Sequence, residues 1–422
     1  MSSQQPQSAV VIGAGIVGLA CALRLQQCGL ATTLVDAHAT AQGASWGNAG
    51  HIAIEQVEPL ASWATLRSAP RRLFALGGAM DVRDPLWVAP WAARMVRASS
   101  AARFQAGRAA LRDLLQRALP AWRELVDGLG RRDLLRADGH LVLWETQRTA
   151  QRRREAWLCA DVGEARVRDL HVGELEELAA HLRARPAGGV FFEGTGQVAD
   201  PALALQAMRD AFRACGGHLQ QAPVRALEVD DGRASAVLAD GTHLEADTVL
   251  VAAGVGSRAL MATIGVHAPL VAERGYHLQW EAHEWPARMP PLVFEDRSLI
   301  LTRFRSGLRA ASFVEFAHPD TPPDPRKWQA LARHARELGL PVTGEGRPWM
   351  GARPTLPDYL PAIGRSDAAD NLLYAFGHQH LGLTLAPLTA SLVAALATGQ
   401  TPPASLRAFD LSRFAPARST RT

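Results

Sequence analysis

Three glycines near the start of the chain have the spacing of a nucleotide-binding turn. Gly13, Gly15 and Gly18 form a G-x-G-x-x-G pattern directly after the apolar run 9–12. In such a turn the first glycine permits the tight bend, the second lets the backbone approach a pyrophosphate, and the third allows close helix–strand packing. Asp36 follows at a distance where a carboxylate can hold a ribose hydroxyl. These residues predict a dinucleotide site, with a glycine-rich turn in another α/β fold as the alternative.

The elements around these glycines are predicted to be a strand, a helix and a second strand. The run 9–12 is too short for a helix and suits a buried strand, whereas residues 19–27 have helical character and end at Gly29. Residues 32–35 form the second predicted strand. Much later, residues 247–256 form an apolar strand that ends in small residues, which suits a strand passing beneath a nucleotide. A buried strand that ends in a turn is an equal alternative there.

Length and composition indicate an ordinary globular protein. The chain has 422 residues, more than one hydrophobic core usually supports, so two lobes are expected. Its residues are 48% hydrophobic and 20% charged. It has no run of about 18 apolar residues, and the lead MSSQQPQS lacks the features of a secretory signal. We therefore expect a cytoplasmic protein without a transmembrane segment.

Charge and cysteine usage exclude several classes of partner. The formal net charge is +4, and all but one of the 45 basic residues are arginine, the exception being Lys327. Because the arginines are scattered and mostly accompanied by acids, nucleic-acid binding is not expected, whereas weak contact with an anionic membrane surface stays open. The four cysteines form no C-x-x-C pair and have no metal-ligand spacing. We expect neither a disulfide framework nor a metal site.

The middle of the chain is predicted to form the second lobe. Residues 101–129 have the pattern of one long amphipathic helix, or of two helices broken at Pro120. Residues 139–144 form a predicted strand, and residues 167–182 are predicted to be mostly helical. Later predicted elements are strands at 273–280, 298–303, 308–316 and 371–376 and helices at 201–215, 328–338 and 386–396.

Five separated stretches together resemble one known family. They are the glycine motif, the loop GASWGNAGHI, the strand VLVAAG, the strands ERGYH and LILTRF, and the tail GARPTLPDYLPAIG with GHQHLGLTLAP. In this order they are similar to the FAD-dependent D-amino-acid oxidases and dehydrogenases, a family that includes glycine and sarcosine oxidases. The resemblance covers nearly the whole chain. It is greatest to bacterial D-amino-acid dehydrogenases and D-hydroxyproline dehydrogenases.

The resemblance implies an α/β fold with two domains. A discontinuous Rossmann-like FAD-binding domain would comprise residues 1–58, 188–265 and 346–415. A substrate-binding domain with a mixed sheet and α+β character would comprise residues 59–187 and 266–345.

The resemblance also implies which residues hold FAD. The first motif would bind the pyrophosphate, the GASWGNAGHI loop would lie along the flavin, and the start of the last helix would face the flavin O2 edge. Relatives with covalent flavin use a histidine in the early loop or a cysteine in the tail, and neither is present at those positions, so non-covalent FAD is expected. The predicted cofactor-binding residues are Gly13, Ala14, Gly15, Ile16, Val17, Gly18, Asp36, Ala44, Ser45, Asn48, Ala49, Gly50, His51, Ile52, Val224, Ala253, Gly254, His378, Gly382, Leu383 and Thr384.

Three residues are predicted to meet the substrate. Arg353 in G-x-R-P matches the family's carboxylate-binding arginine, because a planar guanidinium pairs bidentately with a carboxylate; a surface arginine is the alternative. Tyr276 is the best of the three tyrosines for a place over the substrate carboxylate, with a half-buried strand aromatic as the equal alternative. Of His378 and His380, one is expected to point at the substrate and the other to pack; His380 is taken as the substrate-facing one.

The activity that the resemblance implies is oxidation of a D-amino or cyclic imino acid. A hydride would pass from Cα to flavin N5 without an obligate general base, and the electrons would go to a quinone or another respiratory acceptor. An oxygen-using glycine or sarcosine-type oxidase is the first alternative. An NAD(P)H-dependent flavin hydroxylase and a non-catalytic nucleotide-binding scaffold are alternatives of other classes. D-alanine-like acids, D-proline and hydroxylated D-proline all fit the chemistry.

Overall fold

The structure is a computed structural model that describes residues 7–38 and 43–415. Residues 1–6 of the polar lead, residues 39–42 of the small-residue loop and residues 416–422 lie outside the described residues. The sequence-based interpretation of the lead therefore stays a prediction.

The strands follow one another as β1 Ser8–Ile12, β2 Ala31–Asp36, β3 His51–Ile52, β4 Met80–Val82, β5 Leu135–Arg136, β6 His140–Trp144, β7 Arg166–Asp169, β8 Gly188–Glu193, β9 Gly196–Val198, β10 His218–Gln221, β11 Val224–Asp230, β12 Arg233–Leu238, β13 His243–Leu244, β14 Thr248–Val251, β15 Val271–Trp280, β16 Leu292–Phe294, β17 Leu299–Phe304, β18 Gly307–Ala317, β19 Arg347–Thr355, β20 Ala362–Arg365 and β21 Leu372–Phe376. The helices are α1 Ile16–Gln27, α2 Trp63–Ser68, α3 Pro85–Ala98, α4 Ala101–Gly128, α5 Gln147–Leu158, α6 Val172–Ala179, α7 Pro201–Ala214, α8 Ser257–Thr263, α9 Pro325–Leu338 and α10 Gly382–Ala397.

The first large sheet is the one predicted around the glycine motif. Its strand order is β10-β2-β1-β14-β21-β20, parallel throughout except for the antiparallel pair β20 and β21. The core formed by α1 and α10 packs against this sheet. Because β1, β2 and β14 run in parallel, their carboxyl ends meet at one edge, where open α/β sheets bind nucleotides. The predicted strand–helix–strand unit is confirmed, with α1 beginning at Ile16, before Gly18.

The second large sheet carries the other lobe. Its strands run β19-β15-β18-β17-β16-β6-β8-β7, with β4 joined to β18. Most pairs are antiparallel, whereas β16 with β6 and β18 with β4 are parallel. β15 is central because it pairs with β18 on one side and β19 on the other. Strands β8 and β19 lie in this sheet, although the domain ranges 188–265 and 346–415 would assign them to the FAD-binding domain.

The structure corrects one predicted element and settles another. Residues 167–182 are not mostly helical, because Arg166–Asp169 pairs with β8 and only Val172–Ala179 is helical. Residues 101–129 form one helix, α4, that continues through Pro120.

A buried ion-pair network lies on the face of β15 that carries Arg274. The Lys327 ammonium contacts Asp81 Oδ2 at 2.7 Å, Asp324 Oδ2 at 3.4 Å and the Glu315 carboxylate. Arg274 Nε donates to Glu315 Oε1 at 2.6 Å. The side chains of Lys327, Arg274 and Glu315 are fully buried. The only lysine of the chain thus connects α9 to strands β4 and β18.

The last helix belongs to the protein core. Among the described residues, only the helical stretch Gln379–Ala397 is long and apolar enough to cross a membrane, and 78% of its most apolar window is buried inside the protein. Its neighbours are α1 and α4.

Candidate active site

A single elongated cavity connects the two large sheets. Its volume is about 1070 Å³, and its lining extends from Asp36 and Val224 at one end to Arg353 and Tyr359 at the other. All but five of the predicted site residues line it. The five that do not are all buried: Ala14, Gly18, Gly50, Ile52 and Thr384.

The turn after β1 requires glycine at two positions. Gly13 has φ +107°, and a Cβ there would lie 2.5 Å from the Ala252 carbonyl oxygen of the strand end after β14. A Cβ on Gly18 would lie 1.9 Å from the Gly13 oxygen. The backbone of this turn therefore packs directly on its neighbours, and α1 begins with no side-chain cap and no acid in its first turn. Such a helix start leaves N–H groups free for a phosphate.

Two side chains fix the turn from the sides. Asp36 Oδ2 accepts from the Ala14 backbone N at 2.7 Å, and Ser45 Oγ accepts from the Ile16 N at 3.0 Å. Asp36 thus lies at the end of β2 with its carboxylate against the glycine turn, where it also lines the cavity. This position suits the ribose contact that the sequence predicts.

We expect Gly13→Ala to weaken FAD binding at least tenfold, because a left-handed backbone and a contact with the Ala252 oxygen would force the turn open. Gly43→Ala is the matched control, since Gly43 lines the same cavity and a Cβ there meets nothing within 4 Å. Titration of the apoprotein with FAD, followed by flavin fluorescence, gives both dissociation constants. Equal constants for the two variants would contradict this account of the turn.

The early loop is held by two buried basic side chains that the sequence did not indicate. His277 Nδ1 lies 3.1 Å from the Gly47 oxygen, and Arg309 Nη1 donates to the Trp46 oxygen at 3.1 Å. Burial lowers the pKa of His277 to about 2 and that of Arg309 to about 10. His277 is on β15 and Arg309 is on β18. Both lie in mostly apolar strand sequences, and nothing in those sequences indicates that they hold this loop. The loop is therefore docked on the second sheet.

The opposite wall is the start of α10. Gly382 and Leu383 line the cavity, and this helix also begins without a side-chain cap or an acid in its first turn. Thr384 Oγ1 accepts from the Ala53 N at 3.0 Å, and Trp122 Nε1 donates to the Leu383 oxygen at 3.0 Å. The helix start is thus positioned rigidly and presents partial positive charge to the cavity.

Arg353 lies across β15 within the cavity wall. Its Nη1 donates to Glu273 Oε1 at 3.1 Å, and Glu273 Oε2 accepts from Thr355 Oγ1 at 3.2 Å. Glu273 is opposite Arg353 in the β15–β19 register. A Cβ on Gly275 would lie 2.2 Å from Arg353 Nη2, so the guanidinium occupies the space above this glycine.

We expect Gly275→Ala to raise KM for an amino acid about tenfold while FAD content and thermal stability stay unchanged. The added methyl group displaces only the flexible end of Arg353, so the fold tolerates it and carboxylate binding loses roughly one charge-assisted hydrogen bond. Steady-state kinetics beside a thermal melt measure both properties. Gly173→Ala on α6, where a Cβ meets nothing, is the control; an unchanged KM in Gly275→Ala would contradict the assigned guanidinium position.

Tyr359 is the tyrosine beside Arg353, and the sequence analysis did not select it. It has φ +58°, lines the cavity and is buried. Burial, together with the neighbouring Glu273 carboxylate and the hydrogen bond to it, raises the pKa of Tyr359 well above its usual value. Its phenol is therefore a neutral donor beside the Arg353–Glu273 pair.

The hydroxyl of Tyr276 has partners other than Arg353 and Glu273, and the predicted contact of this residue with the substrate stays a prediction. It donates to Glu315 Oε1 at 2.7 Å and accepts from the Asp324 N at 3.1 Å. Neighbouring side chains alternate between the faces of a strand, so Tyr276 and Arg274 share the face opposite Glu273. Tyr276 lines the cavity, but its hydroxyl is part of the buried ion-pair network that contains Glu315.

The two tail histidines differ in their partners. His378 Nε2 lies 3.1 Å from Thr389 Oγ1 of α10, whereas the His380 ring contacts Gln56 Oε1. Burial lowers the pKa of both to about 3, so both are neutral near pH 7. The contact of His378 is a packing contact with α10, whereas His380 is held by Gln56, four residues after the GASWGNAGHI loop.

His51 belongs to a buried polar group at the cavity wall. Its Nε2 lies 3.0 Å from Glu55 Oε1, and its ring meets His140 edge-on. Burial would raise the pKa of Glu55, but the two histidines and the hydrogen bond outweigh it and lower that pKa to about 2. Ligand atoms of these three residues lie within 4.8 Å of one another, close enough to share a metal ion. The absence of a metal stays a sequence prediction.

Comparison with known proteins identifies the family. The profile described as DAO, FAD dependent oxidoreductase, matches residues 8–396. A D-amino-acid oxidase of Bradyrhizobium diazoefficiens is 30% identical over 418 residues, covering 96% of this chain and 98% of the relative. A D-amino acid dehydrogenase 2 of Pseudomonas aeruginosa is 30% identical over 406 residues, covering 92% of this chain and 94% of the relative.

A solved structure shares the same fold. Glycine oxidase from Geobacillus kaustophilus aligns with TM-score 0.74 at 20% identity, over 98% of this chain and 100% of that one. The chain therefore belongs to the DAO family of FAD-dependent oxidoreductases, and its cofactor is FAD. It is an oxidoreductase that acts on amino acids, and the predicted family is confirmed.

Proposed function

We propose that the protein oxidises a D-amino or cyclic imino acid at the Cα–N bond, with FAD bound non-covalently. The observation that carries the proposal is the position of Arg353, which crosses Gly275 in the wall of the same cavity that the start of α10 lines. A guanidinium there fits the carboxylate of an amino acid.

Different residues would bind the substrate carboxylate and orient the group that binds it. Arg353 pairs with the substrate carboxylate, while Glu273 holds the guanidinium in one orientation through the hydrogen bond that it accepts from Nη1. The start of α10, at Gly382 and Leu383, lines the cavity and would favour negative charge on bound FAD through the partial positive charge of the helix N-terminus. His380 lines the same cavity, and burial keeps its ring neutral by lowering its pKa to about 3.

The proposed oxidation needs no general base, because the substrate amine is already unprotonated when it reacts. Bound FAD would supply the acceptor for the Cα hydrogen and its electron pair, and the neutral amine of the substrate would thereby become an iminium. Water converts an acyclic iminium to a 2-oxo acid and ammonium, whereas a ring substrate remains a cyclic imine. The two electrons then pass to the acceptor.

The proposed acceptor is a quinone or another respiratory carrier. Support comes from relatives named D-amino acid dehydrogenase. An oxygen-using oxidase is the second candidate, and a relative named D-amino-acid oxidase at 30% identity favours it. The proposal includes a cytoplasmic location, with contact at the inner membrane as the route to a quinone.

Anaerobic reduction of the flavin by a panel of amino acids tests this proposal. D-alanine, D-proline, D-hydroxyproline and sarcosine are mixed with the yellow protein, and the reduced protein is then given oxygen or a soluble quinone. Bleaching by a D-amino or imino acid with faster reoxidation by quinone is expected. Bleaching by NAD(P)H alone would indicate a hydroxylase, and no bleaching at all would indicate a scaffold; either result would overturn the proposal.

A further inference from the structure

A second arginine lies in the wall at the substrate end of the cavity. Arg72 ends the short helical turn Ala69–Arg72 and lines the cavity together with Arg353. Within residues 7–38 and 43–415, its side chain makes no hydrogen bond or ion pair, unlike Arg353, which pairs with Glu273. Its chain neighbour Arg71 does not line the cavity.

Arg72, Arg353 and the buried phenol of Tyr359 line the same cavity. The charges of both guanidinium groups act on the hydroxyl of Tyr359, which also interacts with Glu273. Arg72 is therefore close to the Arg353–Glu273 pair, although it comes from a different part of the chain. The charges of these three ionic side chains, two positive and one negative, leave one positive charge uncompensated.

The cavity next to Tyr359 is apolar, whereas Arg72 itself is exposed to solvent. The Tyr359 ring packs in an apolar cluster with Trp91, Met95 and Phe316, and these three residues also line the cavity. The ring of Trp91 lies 5.9 Å from that of Tyr359. Arg72 is exposed and has no anionic partner among the described residues, so its guanidinium is available to a second anionic group of a ligand in the cavity.

We propose that the substrate is a dicarboxylic amino or imino acid whose second carboxylate is bound by Arg72. This inference rests on the proposed oxidation and names the substrate class for the same site. Arg353 holds the carboxylate next to the reacting Cα, and Arg72 pairs with the one on the side chain. With its amine unprotonated, as the proposed oxidation requires, an amino dicarboxylate carries two negative charges, one for each of the two guanidinium groups. The oxidation itself is unchanged, and an acyclic primary amine yields a 2-oxo dicarboxylic acid and ammonium.

Paired substrates that differ only in the second carboxylate test the inference. D-glutamate is compared with D-glutamine, and D-aspartate with D-asparagine, by the rate of anaerobic flavin reduction at limiting substrate. The wild-type protein is expected to prefer each acid over its amide by at least tenfold. Arg72→Gln is expected to lower that ratio by about 10- to 100-fold, the range for one hydrogen bond to a charged group. Arg71→Gln is the control and should keep the wild-type ratio.

Product binding gives a second measurement that does not depend on turnover. 2-Oxoglutarate should perturb the visible flavin spectrum at a lower concentration than 2-oxobutyrate in the wild-type protein, and Arg72→Gln should lose this difference. An acid-to-amide ratio near one that Arg72→Gln does not change would overturn the inference and leave the oxidation intact, provided that some amino acid reduces the flavin. Failure of every amino acid, acids and amides alike, would instead refute the proposed function and the inference with it.

Discussion

Arg353→Ala is expected to lower kcat/KM for an amino acid by about 100- to 1,000-fold while the protein keeps its FAD. Truncating one partner of a buried, hydrogen-bonded charge pair costs about 3 to 4 kcal/mol, which corresponds to this factor. Most of the loss should appear in KM, because the carboxylate is held before and during the reaction. Steady-state kinetics and the flavin content of the purified variant measure the two properties.

Two further variants separate the guanidinium from a general loss of charge. Arg353→Lys keeps the positive charge but not the planar fork, so it should recover only part of the activity. Arg347→Ala removes an exposed arginine from the same strand, β19, and should behave as the wild-type protein. The assignment of Arg353 would be contradicted if its alanine variant matched Arg347→Ala in KM.

Lys327→Met is expected to give the largest loss of stability, about 3 to 5 kcal/mol, because it removes the buried cation that the Asp81, Asp324 and Glu315 carboxylates share. Glu315 would keep Arg274 as its partner, but Asp81 would lose the ammonium that connects β4 to α9. Thermal unfolding of the FAD-loaded protein measures the effect as a lower Tm. A Tm for Lys327→Met as high as that of Arg326→Ala, which removes an exposed ion pair to Asp324, would contradict this role of the network.

The nucleotide half of the site could be predicted because its signals are local. The glycine spacing, the short apolar run and the acid at the end of β2 lie within one strand–helix–strand unit, and each has a direct steric or electrostatic reason. The predicted helix starts at residue 19, after the glycine turn, whereas α1 begins at Ile16, so Gly18 lies in its first turn. The error did not affect the site, since Gly18 is needed there for close packing.

The substrate half could be predicted only in part. Arg353 was found from its motif, but its partner Glu273 is 80 residues away in the chain and is brought opposite by the β15–β19 register. The same register puts Gly275 beneath the guanidinium, and no local pattern reports it. The sequence does not show which face of β15 each side chain occupies. The partners of the Tyr276 hydroxyl and the position of Tyr359 in the cavity wall therefore could not be predicted. The helix predicted for residues 167–182 is wrong for a similar reason. Part of this segment forms β7, which depends on pairing with β8, a strand that follows later in the chain.

The central claim is that the cavity recognises an amino acid by its carboxylate, through Arg353, for oxidation at Cα. The most direct measurement is anaerobic flavin reduction by a D-amino acid compared with the amine that lacks only the carboxylate, such as D-alanine against ethylamine. The amino acid is expected to bleach the flavin, and the amine to do so at least 100-fold more slowly at the same concentration. Equal rates for the two compounds would contradict it.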